Sequence, residues 1–536
     1  MHLYICLLLF YVQALVVFAP SSHGHTQQSD EWLNHGGDLL NRRYAYKERK
    51  ISPKTAPNLR LKWKFYAGRD ITATPAIFDG ILYFPSWNGN IYAVKEADGA
   101  LVWKQNLQKL TGLKAFDGLV NNVNSTVSRS TPTVALDLLI VGCYSPAAVV
   151  ALKRNTGDLA WITILDYHPR ALITMSGTYY NRGFYVGTSS LESLAPLEKC
   201  CTFRGSCVKL NAQSGAILWR TYTLPDNNNK SGEYAGAAIW GSSPSIDVKR
   251  KHVYIATGNL YSAPLRIRQC RERQINQSRP TQPEDECVEP ENHSNSIMAL
   301  HIDSGKIKWH RQLSGYDVSI AVCSDTSKPS PNCPPLADKP DVDFGEAPMM
   351  LTTHINRTKK DIVVAVQKSG IAWALDRNNG NLIWHTVAGP YGFAGGGSWG
   401  AATDEKRVYT NIVNSDAKNF TLAPSNKITT AGGWVAMDAN NGRVLWSTAN
   451  PSNSTAYGPV SVANEVVFAG STDRMGSIYA IDAKSGKILW SYKTGGSVYG
   501  GISISNGCIY VGHGYNVAYG FSLNLTGGTF LFAFSV

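Results

Sequence analysis

Past residue 19 the chain of 536 residues has no apolar run long enough to cross a bilayer, which excludes a bundle of membrane-spanning helices. It has no Cys-x-x-Cys-His, which excludes a covalently attached c-type haem. It has no run of Lys and Arg interleaved with aromatics. The formal net charge of +12 is therefore dispersed, and nucleic acid is a poor partner. A basic funnel for a small anion is a better use of part of that charge. Beyond the first residues, no segment of helical length carries a strong amphipathic period. Only 17% of residues are charged while glycine is abundant, at 48, a balance that suits many turns and buried sheet faces.

What the chain does contain is one short sentence, repeated. Residues 478–490 read Ile-Tyr-Ala-Ile-Asp-Ala-Lys-Ser-Gly-Lys-Ile-Leu-Trp: an apolar strand, a polar turn ending in glycine, and a strand closing on Trp490. Versions recur at 91–103, 149–161, 207–219, 297–309, 372–384 and 434–446, which makes seven complete copies. An orphan second half at 59–65 carries Trp63, and an orphan first half is expected at 517–523. Second hairpins lie upstream, as at 74–84, 243–255 and 458–468, alternating apolar and polar residues between Gly and Asp turns. Units that cannot bury their own faces alone stack into a radial array. Seven whole units and one shared unit predict an all-β, eight-bladed propeller of four-stranded antiparallel blades. The N-terminal strand would pair into the last blade, which removes the exposed edge. Each turn glycine is expected at positive φ, and each Trp between adjacent blades with its N–H on a carbonyl.

Residues 3–19 are almost wholly apolar and lead to Pro20 and Gly24. This predicts a secretory signal over 1–24, with a signal anchor as the alternative, and a single propeller domain over 25–536. Eight Asn-x-Ser/Thr sequons, at Asn124, Asn229, Asn276, Asn292, Asn356, Asn419, Asn453 and Asn524, point to a eukaryotic secretory route. The expected location is extracellular, with cell wall or vacuole as variants. Cys270 and Cys287 bracket one polar insertion, and Cys323 and Cys333 another. Both would gain from a staple in an oxidising compartment. Cys143 and Cys508 sit in strand-like runs and are expected as buried thiols.

The repeat is unevenly spaced. Successive motif glycines are 58 residues apart from Gly99 to Gly157 and again to Gly215, then 90 to Gly305, 75 to Gly380 and only 44 from Gly442 to Gly486. Insertions in a propeller become loops on one face, so interest falls on residues 120–400. Outside the repeat consensus, that region holds Glu192 and Asn259 at strand ends, Asp317 at the start of a loop, and an extra Trp240 before a strand. It also holds Arg129 and Lys368 at turns and the adjacent pair Cys200-Cys201.

With these residues in view, the chain resembles the quinoprotein alcohol dehydrogenases, and within them the polyvinyl-alcohol-dehydrogenase-like proteins. The likeness runs from Trp32-Leu-Asn-His-Gly-Gly-Asp38-Leu-Leu-Asn-Arg-Arg43 across nearly the whole mature chain, with Thr257-Gly-Asn259 and Gly187-Thr-Ser189-Ser-Leu-Glu192 as its more specific elements. The resemblance implies pyrroloquinoline quinone (PQQ) and Ca²⁺ at the ring centre. It implies Trp240 as an aromatic floor, Arg129 and Lys368 on carboxylate or quinone oxygens, and Ser189 on a carboxylate. Glu192 and Asn259 would be Ca²⁺ ligands, Asp317 the general base, and Cys200-Cys201 a disulfide ring near the cofactor. The substrate would be an alcohol, small or polymeric, and electrons would leave to an external acceptor. The chain departs from the family pattern in placing Ser190-Leu191 before Glu192, the cysteine pair after it, Ser398 before Trp399, and no Trp after Asp317. A secreted propeller that binds a small molecule, glycan or protein without turnover, and a scaffold with no cofactor, are the competing expectations.

Overall fold

The computed structural model describes residues 31–536 apart from 116–122, 124, 242, 278–284, 321–322, 324–332, 334–340 and 393. The expected signal over 1–24 lies outside the described residues.

Eight four-stranded antiparallel sheets stand around one axis, each a simple meander from an inner to an outer strand. Ring closure follows the expectation. Arg60–Tyr66 forms the outermost strand of the last blade, pairing with Phe530–Ser535 from Arg60↔Ser535 to Tyr66↔Phe530. The position of that third strand corrects the sequence reading. Residues expected to be the orphan half-repeat hold a short helix, Ala518–Ser522, and the strand is Phe530–Ser535. The repeat pattern cannot mark it, because its outer neighbour is Arg60–Tyr66 rather than a strand joined to it by a polar turn and glycine.

The Trp repeat works as a chain of intersheet latches. Trp63, Trp103, Trp161, Trp219, Trp309, Trp384 and Trp446 each lie against the motif glycine of the next blade. A Cβ on that glycine would come within 2.5–2.8 Å of the ring. Their indole N–H groups each donate to a backbone carbonyl of that blade at 2.9–3.2 Å. The seven glycines have φ between +69° and +76°, so both backbone conformation and packing demand the missing side chain. Trp490 has no such glycine to meet, because the two chain ends replace the turn in the last blade. It packs edge-on against Phe534 at 5.2 Å instead.

A second device binds the ring from within. The segment after Glu31 threads the central channel and pairs with inner strands. Trp32 exchanges bonds with Ile77, Leu33 accepts from Val134, Leu39 from Ile246, Leu40 from Met350, Arg42 from Thr403 and Arg43 from Val462. Six blades are thus tied to one stretch of chain, so inner-strand edges that would otherwise face an open bore are satisfied.

One helix was not foreseen. Leu265–Asn276 is helical, yet its buried face includes Arg271 and Gln274. Gln274 Nε2 donates to Asp285 Oδ1 at 2.7 Å, and a Cys270–Cys287 disulfide closes the insertion. A helix with a polar inner face leaves no apolar period to detect. Cys323–Cys333 closes the other insertion, and Cys143 and Cys508 are buried thiols as expected. Of the sequon asparagines, Asn124 lies outside the described residues. Asn292 is buried, its Oδ1 accepting from the Ser294 N–H at 3.0 Å, and the other six are exposed. Among the described residues no helix is long and apolar enough to cross a membrane.

Near the axis, Glu346 is fully buried, accepting from the Thr410 hydroxyl and, at 3.2 Å, from the Val366 N–H. Burial pushes its carboxyl up to about 8 from an ordinary 4.5. A raised folded-state value means that the native chain holds this proton when the unfolded chain has lost it. The contribution is fully present below about pH 4.5 and is lost as pH rises through about 8. Melting temperature is therefore expected to fall across that window. Glu346→Gln should flatten the decline by on the order of 4 kcal/mol of pH-dependent stability, read as Tm against pH for the two proteins.

Candidate active site

In a meander blade, the links from an outer strand to the next blade and the links between second and third strands emerge at the same end of the ring. Arg129, Trp240 and Asp317 are on links of the first kind, and Glu192, Asn259 and Lys368 on links of the second. The inner ends of these links converge on an aromatic hub of Trp87, Tyr144, Trp399, Tyr457, Tyr499 and Tyr515, with Trp240 packed against it.

Trp240 is held from three sides. Its Nε1 donates to Asp343 Oδ2 at 2.5 Å, its carbonyl accepts from Thr174 Oγ1 at 2.5 Å, and its ring meets Trp399 edge-on at 5.2 Å. Gly345 lies against the indole, where a Cβ would come within 2.7 Å. Lys368 Nζ sits 5.0 Å from the Trp240 ring centroid and 2.9 Å from both Asp341 Oδ1 and Asp343 Oδ1. The Asp343 contact is an ion pair set off the angle of a hydrogen bond, so Asp343 Oδ1 keeps an unused lone pair. Asp341 is raised to about 6 by burial and by Asp343, against the pull of Lys368.

Asp317 is completely buried. Its Oδ2 accepts from Asn295 Nδ2 at 2.7 Å and from the Val342 N–H at 3.1 Å, while Oδ1 has no hydrogen-bond partner among the described residues. Burial first, then the neighbouring Asp341, lifts its carboxyl well above the ordinary range, and the Asn295 and Val342 bonds only partly oppose this. Asn259 is adjoined through the backbone, since Leu260 N–H donates to the Asp317 carbonyl at 3.0 Å. Asn259 Nδ2 donates to Leu260 O at 3.0 Å, which leaves Oδ1 as its candidate ligand atom.

Arg129 is 7% exposed and makes no ion pair with any described residue. Its guanidinium stacks 4.2 Å from the Trp399 ring centroid and donates to the Tyr515 hydroxyl at 3.3 Å. Arg129 and Thr174 line, with His35 and Thr131, a small cavity of about 20 Å³, room for about one oxygen-sized group.

Glu192 is placed differently. Its carboxylate accepts from the Thr202 N–H at 2.9 and 3.0 Å and from the Phe203 N–H at 2.8 Å, and Oε1 lies 3.1 Å from His168 Nε2. The Cys200–Cys201 disulfide immediately precedes those donors, both cysteines buried. Ser189 is buried in a short bridge to Leu172. Tyr261 connects this cluster to the hub: its hydroxyl donates to Ser190 O at 3.1 Å. Burial and then the carboxylates of Asp343 and Glu192 raise its phenol.

The structure therefore brings together Trp240, Lys368, Asp317 and Asn259, with Arg129 reached through Trp399. Glu192, Ser189 and the disulfide form a neighbouring cluster. No group of three or more His, Cys, Asp or Glu among the described residues is arranged to hold a metal by itself. The sequence reading missed Asp341, Asp343 and Asn295. A usable signal existed for the first two, because carboxylates two apart in an extended segment point to one side. Asn295 carried none.

A flat anionic ligand with a cation fits this hub. A buried guanidinium without a carboxylate calls for an anion. Two carboxylates on one ammonium, with the Asp317 carboxyl beside Asp341 and orphaned oxygens on both Asp317 and Asp343, offer oxygen donors that a hard cation would take up.

The ring and its hub define the chain as an eight-bladed propeller with an aromatic, cation-bearing site at one end of its axis. A family profile described as outer membrane protein assembly factor BamB, of the PQQ repeat kind, matches residues 55–311 and 431–527. The chain is 30% identical to a polyvinylalcohol dehydrogenase from Sphingopyxis sp. (strain 113P3), over 90% of its own length and 72% of that protein's. It is 22% identical to the quinohemoprotein alcohol dehydrogenase of Comamonas testosteroni, over 88% and 70%. The crystal structure of the Comamonas enzyme superimposes with a TM-score of 0.70 at 18% identity, covering 96% of this chain and 81% of that one. The protein belongs to the family of polyvinyl alcohol dehydrogenases and quinoprotein alcohol dehydrogenases.

Proposed function

We propose that the protein is a secreted dehydrogenase that oxidises an alcohol, with PQQ and Ca²⁺ as its cofactors. One observation carries this reading. A half-buried indole and a half-buried ammonium are fixed by the same carboxylate, Asp343, beside a buried cation, Arg129, that has no counter-charge among the described residues. When bound, the quinone would supply a hydride acceptor and Ca²⁺ a Lewis acid.

The chain's own residues do the rest. Trp240 offers a flat apolar face whose tilt Asp343, Thr174 and Gly345 set. Arg129 and Lys368 donate to anionic or carbonyl oxygens, and Ser189 donates a hydroxyl to a carboxylate. Asn259 Oδ1 and the Glu192 carboxylate would be the protein's oxygen ligands for Ca²⁺. The Cys200–Cys201 ring borders the Glu192 loop. Asp317 Oδ1, which has no hydrogen-bond partner among the described residues, takes the proton of the substrate hydroxyl, a role its raised proton affinity favours. The expected leader, exposed sequons and disulfides support export, and without a haem motif electrons pass to an external acceptor.

A second reading puts the base on Asp343, because that carboxylate touches both Trp240 and Lys368.

The test is reconstitution. Protein loaded with PQQ and Ca²⁺ should co-elute with quinone absorbance and reduce an artificial acceptor when given a primary or secondary alcohol. Chelation should lower the rate at least ~100-fold. Failure of the quinone to co-elute sinks the proposal. Co-elution without turnover leaves a quinone-binding propeller instead.

A further inference from the structure

A cleft of about 290 Å³ lies between two neighbouring blades, away from the hub. Lys249 and Arg250 line it from the turn that joins Ser245–Asp247 to His252–Ala256, the first two strands of one blade. Lys359, Lys360 and Asp361 line it from the start of Thr358–Val366, the second strand of the next blade. Asp376 and Asn378 complete it, where the third strand of that blade turns into the fourth. Links from first to second and from third to fourth strands emerge at one end of the ring. The links that carry Arg129, Trp240 and Lys368 emerge at the other, so cleft and candidate active site face opposite ways.

The cations here outnumber the carboxylates that hold them. Arg250 is tied to Asp247 Oδ2 at 3.0 Å, to Asp361 Oδ2 at 2.9 Å and to Asn378 Oδ1 at 2.8 Å. The buried Arg377 takes the same two carboxylates, Asp247 at 3.2 Å and Asp361 at 3.0 Å. Two arginines and two aspartates thus balance. Asp376 has Lys360 at 3.9 Å, and its Oδ1 accepts from the Asn378 amide at 2.8 Å. Both carboxylates of the lining are therefore engaged. Lys249 and Lys359 are exposed and form no ion pair with a described residue. Lys251 and Arg357, exposed in the same two turns, extend the surplus. The chain brings these charges together only by folding, since 249–251 and 357–360 belong to different blades.

The lining also restricts what the surplus can meet. It contains no aromatic residue, so a nucleic-acid base has nothing to stack on, and no apolar one, so an acyl chain has nothing to enter. The free cations of the lining are lysines, point charges without the planar fork that singles out a carboxylate. We propose that the cleft binds an acidic polysaccharide, whose carboxylate or sulfate groups sit on Lys249 and Lys359. Held by this end, the ring keeps its candidate active site turned away from the polymer.

Fluorescence anisotropy of end-labelled oligogalacturonate, sulfated dextran and unsulfated dextran tests this, with single-stranded DNA as a polyanion of another class. The protein is freed of N-glycans first, because Asn356, a sequon residue, is exposed beside Arg357. At least one acidic saccharide should bind while unsulfated dextran does not. Raising salt from about 0.05 to 0.5 M should weaken that binding at least about tenfold. Lys249→Gln/Lys359→Gln should raise Kd at least about fivefold. Lys104→Gln/Lys487→Gln is the charge-matched control, two exposed lysines of other blades, and should stay within about twofold. All four side chains are exposed, so both variants should melt with the parent protein. The saccharide that responds identifies the anion as carboxylate or sulfate, and a response from both means that charge alone is read. Equal losses in the two double variants would make binding a property of net charge and overturn the cleft. Binding by neither acidic saccharide, or equal binding by unsulfated dextran, overturns the proposal. DNA that binds as tightly and depends equally on Lys249 and Lys359 overturns the polysaccharide as the ligand.

Discussion

Asp317→Asn is expected to lower kcat by about 10²–10⁴-fold, the usual worth of a positioned general base. The change is nearly isosteric. The replacing amide retains an oxygen for the Asn295 amide and the Val342 N–H, the two donors that now hold Oδ2. What it loses is the basic lone pair of Oδ1, which no described residue occupies. Quinone affinity should therefore stay within about threefold, and the loss should fall on kcat rather than on KM. Asp343→Asn is the necessary companion. It keeps an acceptor for the Trp240 N–H but removes one of the two charges on Lys368. With Asp317 as the base, this variant mainly weakens cofactor binding. Single-turnover kinetics and quinone titration on both variants separate the cases. Near-normal turnover in Asp317→Asn together with collapse in Asp343→Asn would move the base to Asp343.

Arg129→Leu should produce a second large effect, and one with opposite signs in two assays. The guanidinium is buried with no ion-pair partner among the described residues, and only aromatic faces and the Tyr515 hydroxyl compensate it. Removing an uncompensated buried charge should leave the quinone-free protein as stable as before, or more so. Removing the partner of a ligand carboxylate should cost about 2–5 kcal/mol of binding, some thirtyfold to several-thousandfold in Kd. Thermal melts of the quinone-free chain and fluorescence titration with quinone read the two halves. A variant that melts much lower and binds as before would make Arg129 a structural residue.

The ring was legible from the chain because its stabilising unit is local. Strand, turn glycine and Trp fall within thirteen residues, as in 478–490, and each copy needs only a neighbour of the same kind. The one misplaced strand, Phe530–Ser535, belongs to the blade where chain ends interrupt that unit. The helix Leu265–Asn276 escaped because its inner face is polar. The site was legible only in part. Trp240, Lys368, Asn259 and Asp317 stand out against the repeat, and they do approach one another. Asp343 stands 103 residues from the Trp240 it holds, and no local pattern announces that bond. Glu192 also stands out, yet its carboxylate meets the Thr202 and Phe203 N–H groups, donors visible only once the loop is folded.

By itself the sequence determined the eight-bladed ring and its closure, because the repeat period is a property of the chain. Only the tertiary structure decided which carboxylate holds the indole, which buried cation has no ion-pair partner among the described residues, and which carboxylate oxygens are orphaned. Those depend on contacts between links from different blades, set by the angle at which rigid sheets meet around the axis. Residues distant along the chain become neighbours there for a geometric reason that no stretch of sequence encodes alone.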